Sequence, residues 1–348
     1  MRQNVNNLAV TPPPDIHKIL IINLAFIGDV ILSTPVARAL RETYPQAVID
    51  MLVVPVTAGI AELNPYINTV HVYDKKGRHR NWRYAFQLVK KLRTIQYDMV
   101  VCTNFALRGA ILAWLIGAPY RAGYDAQHGK WFLTHAASAR RTVIRHEAEN
   151  YLDVLKPLGI STSDTSLRLT IAEEDRLAIK QQVVRSPGKP LVLICPAGSY
   201  KRKSWTQDGY RRLIRELAPF VDIGLIGGQA EKAYLGELNR MSGNLAQVYG
   251  GVFDLRQLAA FINAANLLIS VDTAPLHIAQ AVGTPVIVLF GPTDPAVWGP
   301  RGEKDVVFYS KVHCAPCWGK SADCDHRCMV AIEPDDVVRK AKEMLMLG

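Results

Sequence analysis

An α/β fold of two doubly wound domains is predicted by three features of this chain. Short apolar runs alternate with amphipathic stretches, the alternation lapses and restarts near residue 190, and 348 residues are more than one core usually serves. The run at 18–24, KILIINL, ends in turn residues, as a strand buried on both faces of a parallel sheet does. Residues 28–45, GDVILSTPVARALRETYP, read as a helix. Ser33 or Thr34 ahead of Pro35 marks its regular start and Pro45 its stop, since proline suits a first helical turn and cannot continue one. Strands follow at 47–55 (AVIDMLVVP) and, after a basic helix, at 97–104 (YDMVVCTN).

The second series opens with the strand 190–199, PLVLICPAGS. A helix at 208–220, strands at 222–228, 266–272 and 285–291, and the helices between them complete it. Between the series, 166–188 has a weaker apolar pattern and Ser186-Pro187-Gly188. The expected organisation is a flexible lead-in at 1–17, an N-terminal domain at 18–165, a linker region at 166–188 and a C-terminal domain at 189–348, the domains facing each other across a cleft.

Lys and Arg number 41 against 31 Asp and Glu, a formal charge of +10. The excess suits an anionic partner (phosphorylated ligand, acidic membrane surface or nucleic acid) or simply a well-solvated surface. Residues 1–17 lack the apolar segment of a secretory signal, and GAILAWLIGAP at 109–119 is far too short to span a bilayer. A cytosolic protein, able to touch a membrane from that side, is expected. Nucleic acid is the weakest partner, because aromatic and basic residues are not interleaved as single-strand binders require.

Two phosphate signatures are excluded. No G-x-G-x-x-G follows the first strand, where NLAFIGD stands, so a dinucleotide oxidoreductase is not expected. WGKS at 318–321 copies the end of a P-loop, but Cys314 occupies the position of its first glycine and no strand precedes it. What remains is anion binding by helix N-termini, whose unpaired N–H groups and dipole favour negative charge. In SVDTAPLHIAQAVGTPVIVLFGPTDP, 270–295, a strand ends at Asp272 and Thr273 and a helix opens through Ala274, Pro275 and His277. Asp272 and Thr273 either line a ligand beyond the strand's carboxyl end or cap the helix. His277 either donates to a phosphate or holds the turn. A second anion site is suggested by PAGSYKRKSW, 196–205, where Ser199, Lys201, Arg202 and Lys203 follow a strand end. In AFIGDV, 25–30, Asp29 stands past the first strand, as a general base or a helix cap.

Together GDVILSTP, GSYKRKSW and the 270–295 stretch resemble glycosyltransferase family 9, the ADP-heptose:lipopolysaccharide heptosyltransferases, over roughly Lys18 to Val338. The second- and third-heptose types are more similar than the first. The resemblance implies a GT-B fold of two Rossmann-like domains facing a central cleft, with the nucleotide sugar held by the C-terminal domain. It implies inverting transfer of heptose from ADP-L-glycero-D-manno-heptose to the lipopolysaccharide inner core by a protein peripheral to the inner membrane. On the same basis Asp29 matches the catalytic base; Ser199, Lys203, Asp272, Thr273, Ala274 and His277 match the donor-binding positions, Ala274 replacing a frequent Gly. The basic run 74–83 then becomes an acceptor or anionic-lipid contact through Lys75, Lys76, Arg78, Arg80 and Arg83, or a solvated face.

No cofactor is required by such a scheme. Cys314, Cys317, Cys324 and Cys328, spaced C-x2-C-x6-C-x3-C, allow a structural zinc or iron site or are packed free thiols. Some relatives that heptosylate proteins use a cysteine-bound iron, so transfer of heptose or another sugar to a protein or other glycan is the alternative activity. A basic nucleic-acid-binding protein is the non-enzymatic alternative. Cys102 and Cys195 lie within predicted strands and read as core residues.

Overall fold

The structure, a computed structural model, describes residues 10–140, 142–198, 201–318 and 324–347. It comprises two compact units that divide after Leu167. In the first, β1 (Lys18–Asn23), β2 (Val48–Val53), β3 (Thr69–Val72), β4 (Met99–Cys102), β5 (Tyr120–Tyr124) and β6 (His135–Ala137) form a sheet in the order β3-β2-β1-β4-β5-β6. Every pairing is parallel. The second repeats the pattern with β7 (Leu191–Cys195), β8 (Asp222–Gly227), β9 (Gln247–Gly250), β10 (Leu267–Val271), β11 (Val286–Phe290) and β12 (Val306–Tyr309), ordered β12-β11-β10-β7-β8-β9 and again parallel.

Helical crossovers cover both faces of such sheets, which is why the central strands are apolar at nearly every position. Leu20, Ile22, Leu52 and Val100 pack with Leu112 and Ile116 in one unit; Val192, Ile194, Ile269 and Leu289 pack with Leu213 and Leu217 in the other. Strand order reverses between β1 and β4 and between β7 and β10. Crossovers on either side of each reversal run over opposite faces, so the loops diverge and leave a crevice at the strands' carboxyl ends.

Two expectations need revision in detail. Residues 28–45 form not one helix but two, Ile27–Leu32 and Thr34–Thr43, divided at Ser33 (φ −89°, ψ 2°). The hydroxyl of Ser33 donates to the Val30 carbonyl at 2.9 Å and accepts from Asn23 Nδ2 at 3.0 Å, which stops the first helix just where Pro35 allows a second to begin. Residues 166–188, expected as a linker region, carry the helix Glu173–Gln182, whose acidic first turn meets Arg256 through Glu174 (2.8 Å) and Asp175 (3.0 Å). Cys102 and Cys195 are buried strand residues, and burial pushes each thiol up to about 12.

Unit 1 also buries a polar triad. Tyr97 donates to Asp50 Oδ2 at 2.6 Å, and His71 Nε2 lies 3.3 Å from the same oxygen and 3.1 Å from the Tyr97 hydroxyl. Burial raises the Asp50 carboxyl, but hydrogen bonds from His71 and Tyr97 outweigh it and hold the group below the usual range. A depressed carboxyl stabilises the fold above the unfolded-state value, near pH 4, and that contribution disappears as pH falls through the folded value. Tyr97→Phe is therefore expected to cost about 1–3 kcal/mol at neutral pH in urea unfolding. The difference from the unsubstituted chain should shrink in titrations below roughly pH 4; a difference independent of pH would show that the Asp50 charge is not involved.

Candidate functional site

The first candidate centre is built on the loop after β1. Asn23, fully buried at the strand's end, accepts from the Ala25 N–H at 3.2 Å and donates to the Asp29 carbonyl at 3.2 Å as well as to Ser33. One amide thus fixes both sides of the turn that carries Asp29. Asp29 occupies the third position of the short helix Ile27–Leu32, so it is not the N-cap. Its Oδ2 accepts from the Phe26 N–H at 3.1 Å and its Oδ1 from the Tyr151 hydroxyl at 2.5 Å. Burial, then the Asp29 charge and hydrogen bond, push Tyr151 well above the usual tyrosine range, so it stays a donor. The half-buried carboxylate is thereby aimed by two donors while each oxygen keeps lone-pair capacity.

Of the five cations expected near an acceptor, the structure brings one to this loop. Lys75 Nζ donates to the Leu24 carbonyl at 2.7 Å. Lys76, Arg78, Arg80 and Arg83 are exposed, with Arg78 over the Tyr84 ring (4.8 Å) and Arg83 over Trp82 (5.7 Å).

The second centre lies in the other unit, at the equivalent reversal of strand order. Lys203 ends a short turn after β7, and Asp272 follows β10. Lys203 Nζ lies 2.6 Å from Asp272 Oδ2 and 3.0 Å from the Asp272 carbonyl, and Thr293 Oγ1 donates to the same Oδ2 at 2.7 Å. All three are largely buried: side-chain exposure is 12% for Lys203 and 6% for Asp272, and Thr293 is 4% exposed. Gly198 permits the approach, since a Cβ there would stand 3.0 Å from Lys203 Cβ.

These contacts bear on one of the readings left open for 270–295, side-chain capping of the helix. Thr273 is the N-cap of helix Ala274–Val282, yet its side chain makes no capping bond, and the Asp272 carboxylate faces Lys203 and Thr293. The helix mouth, with Pro275 in its first turn, therefore presents Thr273 and Ala274 backbone without a side-chain cap. His277, 4% exposed, sits in that turn with Nδ1 3.4 Å from Gln280 Nε2 and its ring 6.5 Å from that of Trp298. A helix mouth beside an oriented lysine is suited to a phosphate group. Ser199 lies outside the described residues.

Sequence reasoning missed Tyr151, Asn23 and Thr293. Thr293 stands inside the quoted 270–295 stretch and follows a strand of the same sheet, which is the signal that was available. Tyr151 lies 122 residues from Asp29 and offered none.

Cys314, Cys317, Cys324 and Cys328 are all free thiols. Cys328 is buried, and burial followed by the neighbouring cysteines raises its thiol above the usual range. Among the described residues, no group of three or more His, Cys, Asp or Glu side chains is arranged to hold a metal ion.

Two parallel sheets of identical order, each carrying its polar groups at the reversal, define the GT-B class of glycosyltransferases. The chain belongs to glycosyltransferase family 9 (heptosyltransferase), whose sequence model matches residues 85–327. It is 30% identical over 335 residues to lipopolysaccharide heptosyltransferase 3 of Escherichia coli (strain K12), covering 92% of this chain and 96% of that protein. In fold it is similar to a family 9 glycosyltransferase from Veillonella parvula (TM-score 0.84, 24% identity, 96% of this chain and 98% of that one). It is likewise similar to the Escherichia coli ADP-heptose lipopolysaccharide heptosyltransferase II (TM-score 0.80, 20% identity, 94% and 98%).

Removing one member of a buried pair strands the other charge. Asp272→Ala should lower stability in urea unfolding by on the order of 3 kcal/mol, and adding Lys203→Met should recover much of that loss. Equal loss in the single and double variants would mean that Asp272 acts through something other than Lys203.

Proposed function

We propose that this chain is an inverting transferase that moves heptose from ADP-L-glycero-D-manno-heptose to the inner core of lipopolysaccharide. The observation that carries the reading is the Lys203–Asp272 pair at the uncapped mouth of helix Ala274–Val282. Membership of the heptosyltransferase family supports it, and the similar Escherichia coli protein is a lipopolysaccharide heptosyltransferase.

In this reading the donor's diphosphate lies against the helix mouth, where Lys203 and the backbone N–H groups of Thr273 and Ala274 meet its charge. Asp272, held by Thr293, keeps the Lys203 ammonium in place. Asp29, aimed by Tyr151 and the Phe26 N–H, takes the proton of the acceptor hydroxyl. The acceptor oxygen forms its bond to the anomeric carbon as the bond from that carbon to the phosphate oxygen breaks. ADP departs with the electron pair from the opposite face, which inverts the configuration. The negative charge growing on the diphosphate is met by groups already oriented, so little reorganisation is needed. Lys75, Lys76, Arg78, Arg80 and Arg83 meet the anionic groups of the core in this scheme. An acceptor anchored in lipid places the protein at the cytoplasmic face of the inner membrane, as a peripheral enzyme. Among the described residues no helix is long and apolar enough to cross it.

Calorimetry with ADP and UDP is the direct test. ADP is expected to bind in preference to UDP, with affinity falling about tenfold or more in Lys203→Ala, the value of a charge-assisted contact. Preference for UDP would overturn the donor assignment. Asp29→Asn should bind ADP as the unsubstituted chain does while transferring sugar about 10²–10⁴-fold more slowly, the usual range for loss of a general base. Because no step passes through a metal, chelation and dialysis should leave the transfer rate unchanged. A rate that collapses and returns with added zinc or iron would assign a metal role to the cysteine segment.

A further inference from the structure

Between the helices Trp82–Thr94 and Leu107–Ile116 of unit 1 runs an open groove of about 890 Å³. Trp82, Phe86, Ile111 and Leu115 are among its walls. Trp82 and Phe86 stand four residues apart, one helical turn, and are 72% and 62% exposed. Trp114, on the second helix, is 53% exposed. Apolar side chains grouped in this way on a surface mark a place where something docks.

The charge around the groove says what kind of partner fits. Lys90, Arg93 and Arg108 are its charged lining residues, and no carboxylate lines it. Residues 75–94 hold eight Lys and Arg and no Asp or Glu. Asp74, just before them, is engaged in accepting from the Gly77 and Arg78 N–H groups at 2.8 and 3.0 Å. Burial, then the neighbouring Arg108 and Lys76, push the Lys75 ammonium below its usual range. The combination of Trp and Phe on one part of a helix with Lys and Arg flanking it is that of segments lying in a membrane interface. Facing the aromatics across the groove are aliphatic side chains, Leu107, Ile111 and Leu115, which suit acyl chains rather than nucleobases.

We propose that this groove and its basic rim dock on an anionic lipid bilayer, with Trp82 and Phe86 entering the interface and Lys90, Arg93 and Arg108 meeting lipid phosphates. The inference deepens the transferase reading, for which it names the surface that meets the membrane, while its evidence is the groove itself.

The test is flotation of the intact chain with vesicles of phosphatidylglycerol and phosphatidylcholine, against vesicles of phosphatidylcholine alone. Binding is expected only to the anionic vesicles and is expected to weaken as salt rises. The double variant Trp82→Ser/Phe86→Ser should lower binding by about tenfold or more. Lys90→Gln/Arg93→Gln should lower it roughly fivefold for each cation removed. All four positions are exposed, so both variants should melt with the unsubstituted chain and transfer sugar equally well to a lipid-free, water-soluble core oligosaccharide. Vesicle binding that follows this pattern in a chain lacking transfer activity would support the docking surface and sink the transferase reading instead. The proposal is overturned by no binding to anionic vesicles, by equal binding to neutral ones, or by variants that bind undiminished. A dimer that Trp82→Ser/Phe86→Ser converts to monomer, without vesicle binding, would show instead that a second copy covers the groove.

Discussion

Both candidate centres of this chain depend on one topological constraint, the reversal of strand order at the middle of each parallel sheet. Parallel strands need crossovers, and crossovers must cover both faces. At β1/β4 and at β7/β10 the crossovers run to opposite faces, and their loops diverge beyond the carboxyl ends of these strands. Asn23 ends β1, and Asp272 follows β10. The polar groups are admitted there because the fold itself leaves a gap; a few residues earlier on the same strands they would face an apolar layer and remain unpaired.

The two reversals are furnished differently, and the difference follows from the charge each must manage. At β1 a single carboxylate is aimed by neutral donors, the Tyr151 hydroxyl and the Phe26 N–H, which orient it without cancelling its charge. At β7/β10 a lysine is tied to a carboxylate that Thr293 also holds. A buried ammonium with no partner is costly, whereas Asp272 Oδ2, 2.6 Å away, fixes Lys203 in one place. The pair is thus a way of keeping positive charge under a helix mouth whose dipole already disfavours it. Asp272 offsets that repulsion, which explains why its side chain turns away from the capping position beside it.

How much of this was legible in the sequence depended on how local the signal was. The central strands were legible because burial on both faces leaves an unbroken apolar run, as in KILIINL and PVIVLFG. β3, β5, β6 and β9 were not: they lie on the outer side of each sheet, are short, and mix polar with apolar residues, as in the TVHV of β3; β12, VVFY, was missed because it is only four residues long and partly exposed. The break at Ser33 was half legible, since Pro35 marked where a helix begins but only the Asn23 side chain explains why another ends before it. The ion pair of Lys203 with Asp272 spans 69 residues and the Tyr151–Asp29 bond 122, so periodicity and spacing had no means of finding either. Residue type and position at strand ends picked out Asp29, Lys203 and Asp272; what held each of them was a tertiary fact.

The basic excess has the same split character. The charge of +10 is a property of the whole sequence, and by itself it distinguishes no partner from another. Its distribution does. Arg38 is buried and spent on structure, reaching Tyr66 and both the side chain and carbonyl of Ser166, where the chain leaves unit 1. Arg256 is committed to Glu174 and Asp175. Between 75 and 94, by contrast, cations accumulate with no acidic residue among them, beside aromatic side chains that the core did not take in. Self-repulsion makes such a segment costly to maintain in the folded chain. Charge arranged this way suits an anionic partner, and the apolar groove beside it is what makes a lipid surface the partner proposed above.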